Sequence, residues 1–139
     1  MLKAVDHWRV TYNTDVDTFI KDAYAKDADV VFTGASAHGH EQFTKIEKAV
    51  IAGAPGRKMR VDRVQFIDDN NVIVEAVNVD SAQPDFYTPW VAILTFNKEN
   101  KIVLDRTYLH PERWPGIEGA KAFVTPGGLG APDQVLSKP

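Results

Sequence analysis

Apolar residues recur at helical spacing in the first part of the chain and at alternate positions in the second. Val5, Trp8 and Tyr12 fall at i, i+3 and i+7, which predicts a short amphipathic helix ended by Asn13. Thr14 or Asp15 can cap a second helix, with Val16, Phe19, Ile20, Ala23 and Tyr24 as its buried stripe and Asp27 closing it. Asp29 to Phe32 reads as a short strand and Thr33 to Ala37 as a loop of small residues. A third helix is expected from His40 to Ala52. It buries Phe43, Ile46, Val50 and Ile51, with Gly53 as its stop and Ala54-Pro55-Gly56 as a turn.

From Arg57 onward the period changes to two. Lys58 to Ile67 and Val72 to Val79 read as a hairpin around Asp68-Asp69-Asn70-Asn71. After a loop from Asp80 to Tyr87, Thr88 to Phe96 and Lys101 to Leu109 form a second hairpin around Asn97-Lys98-Glu99-Asn100. Three helices followed by a meander of long strands is an α+β plan. The helices pack on one face of a strongly curved, mainly antiparallel sheet. Neither a repeat nor a linker divides residues 1–139, so the chain reads as a single domain with its core over 4–110. Residues 111–139 form a Pro/Gly-rich tail, in which Trp114 and Ile117 among turn formers point to an anchored flap.

Composition narrows the functional classes. The formal net charge of −3 opposes a nucleic-acid partner held through phosphates. With no cysteine, thiolate nucleophiles, disulfides and cysteine–metal sites are excluded. No apolar run approaches the roughly 18 residues of a membrane span. Met1 to His7 lacks the apolar core of a signal peptide, so no membrane partner and a cytoplasmic location are expected.

One passage carries more information than the rest. Tyr24-Ala25-Lys26-Asp27-Ala28-Asp29-Val30-Val31-Phe32 joins a helix end, an acidic step and a strand, and Ala37-His38-Gly39-His40-Glu41-Gln42-Phe43 turns on His-Gly into the next helix. In this it resembles the opening of the ketosteroid isomerase-like and SnoaL-like proteins, which share the nuclear transport factor two-like, cystatin-like cone fold. The resemblance implies a sheet curled round the helices with an internal apolar pocket. Position by position, it implies an interior set of Val30 and Phe32; Val74, Ala76 and Asn78; Trp90, Ala92 and Leu94; and Asp105, Thr107 and Leu109. Trp8 and Tyr12 would reach in from the first helix.

Departures from that family matter as much. Where the ketosteroid isomerases place a general-base aspartate, a tyrosine and a second acid, this chain carries Phe32, Trp8 and Ala92. Where the limonene epoxide hydrolases place an arginine and two aspartates, it carries Ala76, Asn78 and Thr107. Neither reaction can run on those residues.

The candidate chemistry is therefore Asp105, with Asn78, Tyr12 and His110. Asp105 among Trp90, Leu94 and Phe32 would have its pKa raised by desolvation and could serve as acid or base; the bland alternative is an ion-pair partner at a wet strand end. Asn78 could donate to a substrate oxygen or satisfy a neighbouring backbone group, Tyr12 could orient the substrate, and His110 could shuttle protons or sit at the rim. Trp8, Phe32, Trp90, Ala92, Leu94, Ala76, Thr107, Leu109 and His38 are the expected substrate-binding set. His38 could equally bond the turn, and His40 is expected to face solvent. The His38-x-His40 spacing does not make a zinc site, and neither metal nor cofactor is expected.

Aromatic walls suit a flat, hydrophobic, cyclic ligand. The expected activity is cofactor-free proton transfer of isomerase, cyclase or dehydratase (lyase) type. The alternatives are a non-catalytic ligand-binding or assembly module of the same fold, and a dimerisation domain with a filled interior. A homodimer is expected through the outer sheet face, where Ile73, Val77, Val79, Val91, Ile93 and Tyr108 form an apolar patch.

Overall fold

Asn13 and Asp15 set the opening of the fold through their side chains. Helix α1 (Leu2–Tyr12) ends at Asn13, whose amide nitrogen donates to the Met59 carbonyl at 2.9 Å while its oxygen accepts from the Met59 N–H at 2.7 Å. That pair of bonds fastens the helix corner to the first long strand. Asp15 caps α2 (Val16–Ala23) by accepting from the backbone N–H groups of Asp17 and Thr18. The computed structural model describes residues 1–131 apart from the side chain of Phe86, so the expected tail beyond Ala131 lies outside the described residues.

The structure departs from two local expectations. Helix α2 stops at Ala23, not Asp27, and strand β1 already begins at Tyr24 and runs to Phe32. Tyr24 pairs with Ile102 and buries its ring, so its tertiary contacts end the helix a turn early. The presumed loop of small residues contains strand β2 (Ala35–His38), antiparallel to β1 with Phe32 opposite Ala35. Thr33-Gly34 is thus a two-residue hairpin loop, and Gly34 supplies its positive φ of 82°.

Helix α3 (Gly39–Gly53) buries Phe43, Ile46, Glu47 and Val50. Ile51, expected inside, is only half-buried. Strands β3 (Arg57–Phe66), β4 (Asn71–Asp80), β5 (Gln83–Phe96) and β6 (Ile102–Tyr108) follow, β5 starting earlier than alternation predicts. With the short β7 (Thr125–Pro126) they form a seven-stranded sheet in the order β3-β4-β5-β6-β1-β2-β7. Only the β1–β6 pairing is parallel among the paired strands. Register shifts at Val61/Arg63, Val79/Asp80 and Thr95/Phe96 mark irregularities where the long strands can bend.

The concave face carries Val72, Val74, Ala76 and Asn78 of β4 and Trp90, Ala92, Leu94 and Phe96 of β5, all buried. Phe19 is the hub of the packing beneath the helices. Its ring lies 5.2 Å from Tyr12, 5.4 Å from Tyr24 and 6.1 Å from both Trp8 and Phe43. Such tilted and edge-on pairs suit the ring quadrupole.

The segment after β6 packs on this body. The Thr88 hydroxyl donates to the Arg113 carbonyl at 2.7 Å, and Trp114 meets Trp90 edge-on at 5.6 Å. A short helix α4 (Ile117–Ala120) lies along α3. Gln42 of α3 then donates to the Phe123 carbonyl and to Thr125, and the Leu129 N–H bonds the Phe32 carbonyl at 2.8 Å. Among the described residues no helix is long and apolar enough to cross a membrane.

Candidate functional site

The deep interior is occupied by a polar network set among aromatics. Tyr24 donates to Asp105 Oδ2 at 2.6 Å and accepts from Trp8 Nε1 at 3.0 Å. Thr107 donates to Asp105 Oδ1 at 2.6 Å. Asn78 donates to the Tyr12 hydroxyl at 3.2 Å and accepts from Trp90 Nε1 at 3.1 Å. Burial pushes the Asp105 carboxyl above its usual range, partly opposed by the hydroxyls of Thr107 and Tyr24. Burial likewise raises the Tyr24 phenol, and the Asp105 charge adds to it. Both carboxylate oxygens of Asp105 are satisfied inside the protein.

Open space lies elsewhere. A cavity of about 240 Å³ sits between the β1–β2 turn, the middle of α3, the end of β6 and the tail. Phe32, Ile46, Val50, Leu109, Trp114, Ile117 and Val124 give it an apolar wall. The acidic residue on that wall is Glu47.

Glu47 is only 6% exposed, and Arg57 Nη2 donates to its Oε2 at 3.2 Å. Its Oε1 accepts no hydrogen bond among the described residues. Burial raises the Glu47 pKa; the Arg57 charge lowers it and the Asp105 charge raises it further. Arg57 is buried as well, with its guanidinium carbon 4.4 Å from the centre of the Tyr12 ring. A carboxyl in this setting can hold or release a proton nearer neutrality than an exposed one. Trp114, which also borders the cavity, makes no indole N–H bond among the described residues, whereas Trp8 and Trp90 do, and behind Glu47 the buried Nε and Nη1 of Arg57 have no partner there either.

The residues expected to line a pocket divide into three groups. Phe32 and Leu109 border the cavity. Trp8, Tyr12, Ala76, Asn78, Trp90, Ala92, Leu94, Asp105 and Thr107 are buried but do not border it. His38 and His110 are on the surface. His38 bonds Asp29 through Nδ1 at 2.6 Å, which raises its pKa, and its backbone N–H bonds Gln42. His40, expected in solvent, is half-buried with Nε2 at 2.8 Å from the Tyr24 carbonyl.

Glu47 and Arg57 were not among the candidates. The signal for Glu47 was present: it stands four residues after Phe43 and three before Val50, on the buried stripe of α3. Arg57, at the start of a strand after a turn, reads as solvated until Tyr12 and Glu47 are brought over it.

Neither a protein-family model nor a curated protein sequence matches the chain. Solved structures do. A protein from Catenulispora acidiphila with a ketosteroid isomerase-like fold, in complex with trimethylamine, matches at 19% identity and a TM-score of 0.68, covering 89% of this chain and 98% of that one. A SnoaL-like family protein of proposed isomerase activity from Agrobacterium tumefaciens matches at 14% identity and a TM-score of 0.68, over 78% of this chain and 96% of that one. A SnoaL-like protein of proposed polyketide cyclase activity from Jannaschia matches at 16% identity and a TM-score of 0.66, over 78% and 83%. The fold is therefore the nuclear transport factor two-like cone of the SnoaL-like and ketosteroid isomerase-like proteins.

Proposed function

We propose that the chain binds a small hydrophobic molecule in the cavity beneath its tail and catalyses cofactor-free proton transfer on it, as an isomerase, cyclase or dehydratase does. The observation that carries this reading is Glu47: a buried carboxyl with a raised pKa, one oxygen held by Arg57 and the other unpaired, on the wall of an apolar cavity. In the simplest reaction Oε1 takes a proton from a carbon beside a carbonyl. The electron pair moves onto the carbonyl oxygen, and the proton returns at another carbon. Arg57 orients the carboxylate and balances its charge, and Trp114 can donate to the oxygen on which charge accumulates. The proposed isomerase and cyclase activities of two neighbours, and the trimethylamine complex of the third, support a small-molecule site in this fold.

Deuterium exchange tests the chemistry directly. Incubated in D2O with the cyclic enone isophorone, the protein should speed label uptake beside the carbonyl, followed by NMR. Glu47→Gln should slow that uptake by about 10²–10⁴-fold. Uptake unchanged in a folded Glu47→Gln protein refutes the acid–base role.

A second reading, a ligand-binding module without catalysis, is favoured by the satisfied state of Asp105. It predicts that a ligand binds and no exchange is accelerated.

A further inference from the structure

Resting on the reading of this cavity as a ligand site, we infer that its occupant is an uncharged, single-ring molecule carrying one oxygen function. Size sets the first limit on the occupant. The cavity measures about 240 Å³. An engineered apolar cavity of about 150 Å³ accepts one benzene, so this one holds a ring with a few substituents. Pockets for larger ligands span about 300–1,000 Å³. The cavity is partly open to solvent, so a fused tetracyclic compound enters it only by leaving much of its apolar surface in water or by displacing the wall, and the wall is tied down. Trp114 packs on Trp90, and the Leu129 N–H bonds the Phe32 carbonyl.

Charge sets the second limit. Glu47 is matched by Arg57 at 3.2 Å, so the pair offers no surplus of either sign. Lys121 borders the cavity, but its ammonium is bonded to Glu118 at 2.8 Å. The remaining named wall is Phe32, Ile46, Val50, Leu109 and Trp114, which cannot repay the desolvation of an ion.

Polarity completes the assignment. Glu47 Oε1 and the Trp114 indole N–H lack partners among the described residues. One hydroxyl on an otherwise apolar ring can answer both, donating to Oε1 and accepting from the indole, and one carbonyl oxygen can answer the indole while a carbon beside it faces Oε1. A bare hydrocarbon leaves both unpaired, and a polyol brings more polar groups than the wall can satisfy.

Calorimetric titration of the full chain with five compounds tests this. They are isophorone; 1,5,5-trimethylcyclohexene, the same ring without oxygen; cyclohexylacetate; phenyltrimethylammonium; and progesterone. Isophorone should bind at least about tenfold more tightly than either ion or the tetracycle, and about three- to tenfold more tightly than the hydrocarbon. Leu109→Trp, which fills the cavity, should abolish isophorone binding. Ala35→Trp on another wall repeats that test should the first variant not fold. If progesterone or an ion binds more tightly, with the same sensitivity to filling, the ligand class is overturned while the ligand site stands. If none of the five releases heat, the class fails together with the reading beneath it.

Discussion

The Tyr24 hydroxyl donates to Asp105 at 2.6 Å, joining residues 81 positions apart. The same oxygen accepts from Trp8, so one side chain ties α1, β1 and β6 at the centre of the domain. Tyr24→Phe deletes that oxygen and leaves Asp105 Oδ2 and Trp8 Nε1 buried with a partner lost. The variant should lose about 2–4 kcal/mol of stability, as two buried groups go unsatisfied. Urea denaturation measures it, and a loss near zero would show that the network carries no stability.

Asp105→Asn should be milder. It exchanges a charge that burial disfavours for a neutral amide, but faces two hydroxyl donors with one acceptor oxygen. A cost of about 1–2 kcal/mol is expected, with deuterium exchange changed only a few-fold. A slowing as large as that of Glu47→Gln would return the acid–base role to Asp105.

Stability should fall as pH rises just above the ordinary carboxylate range. Glu47 and Asp105 both have folded pKa values raised above 4.5 and 3.8, chiefly by burial. Well below those values both states are protonated and neither group costs anything. Between the ordinary and the raised values the unfolded chain releases its protons first, so unfolding is favoured as pH rises. His38 also loses its contribution with rising pH, through its own raised value above 6.5, and its exposure keeps that contribution small. In melting curves taken from pH 4 to 8, Glu47→Gln should flatten the acid part of the decline, although its midpoint also drops because Arg57 loses its counter-charge. An unaltered slope would mean that Glu47 titrates as an exposed residue.

The tail wall depends on Gly116. Its φ is 77°, and a Cβ there would stand 2.1 Å from the Val50 carbonyl oxygen of α3. Gly116→Ala should destabilise by more than about 1 kcal/mol and expose the tail to protease after Pro111. Isophorone binding should be lost with it. Cleavage no faster than in the unaltered protein would show that the wall does not rely on this contact.

Two copies are proposed to pair through the outer sheet face. Tyr87 and Tyr108 are 61% and 47% exposed there, beside the half-buried Ile73, Val79, Val91 and Ile93. Light scattering at micromolar concentration should give a dimer, and Tyr108→Glu should shift it toward monomer. A monomeric unaltered protein defeats the proposal.

The periodicities at helical and alternate spacing determined the helices, the long strands and the α+β class, because burying one face is a local property of each element. Strand alternation with the His-Gly passage also indicated which of Val74, Ala76, Trp90, Ala92 and Leu94 lie inside, and all of these are buried. The end of α2 at Ala23 was not legible, since Tyr24 leaves the helix for a partner on β6. Nor was the difference between an interior position and a cavity-lining one. Asp105 and Asn78 face inward but are consumed by Tyr24, Thr107, Tyr12 and Trp90, which arrive from distant parts of the chain. Arg57 reads as a solvated charge at a strand start and Glu47 as a carboxyl on the buried stripe of α3 with no partner in view, and only their meeting across the core makes a neutral pair that can be buried. Whether a polar side chain inside a fold is satisfied or left free depends on partners remote in sequence, and so tertiary packing alone decided where the cavity and its free carboxyl oxygen lie.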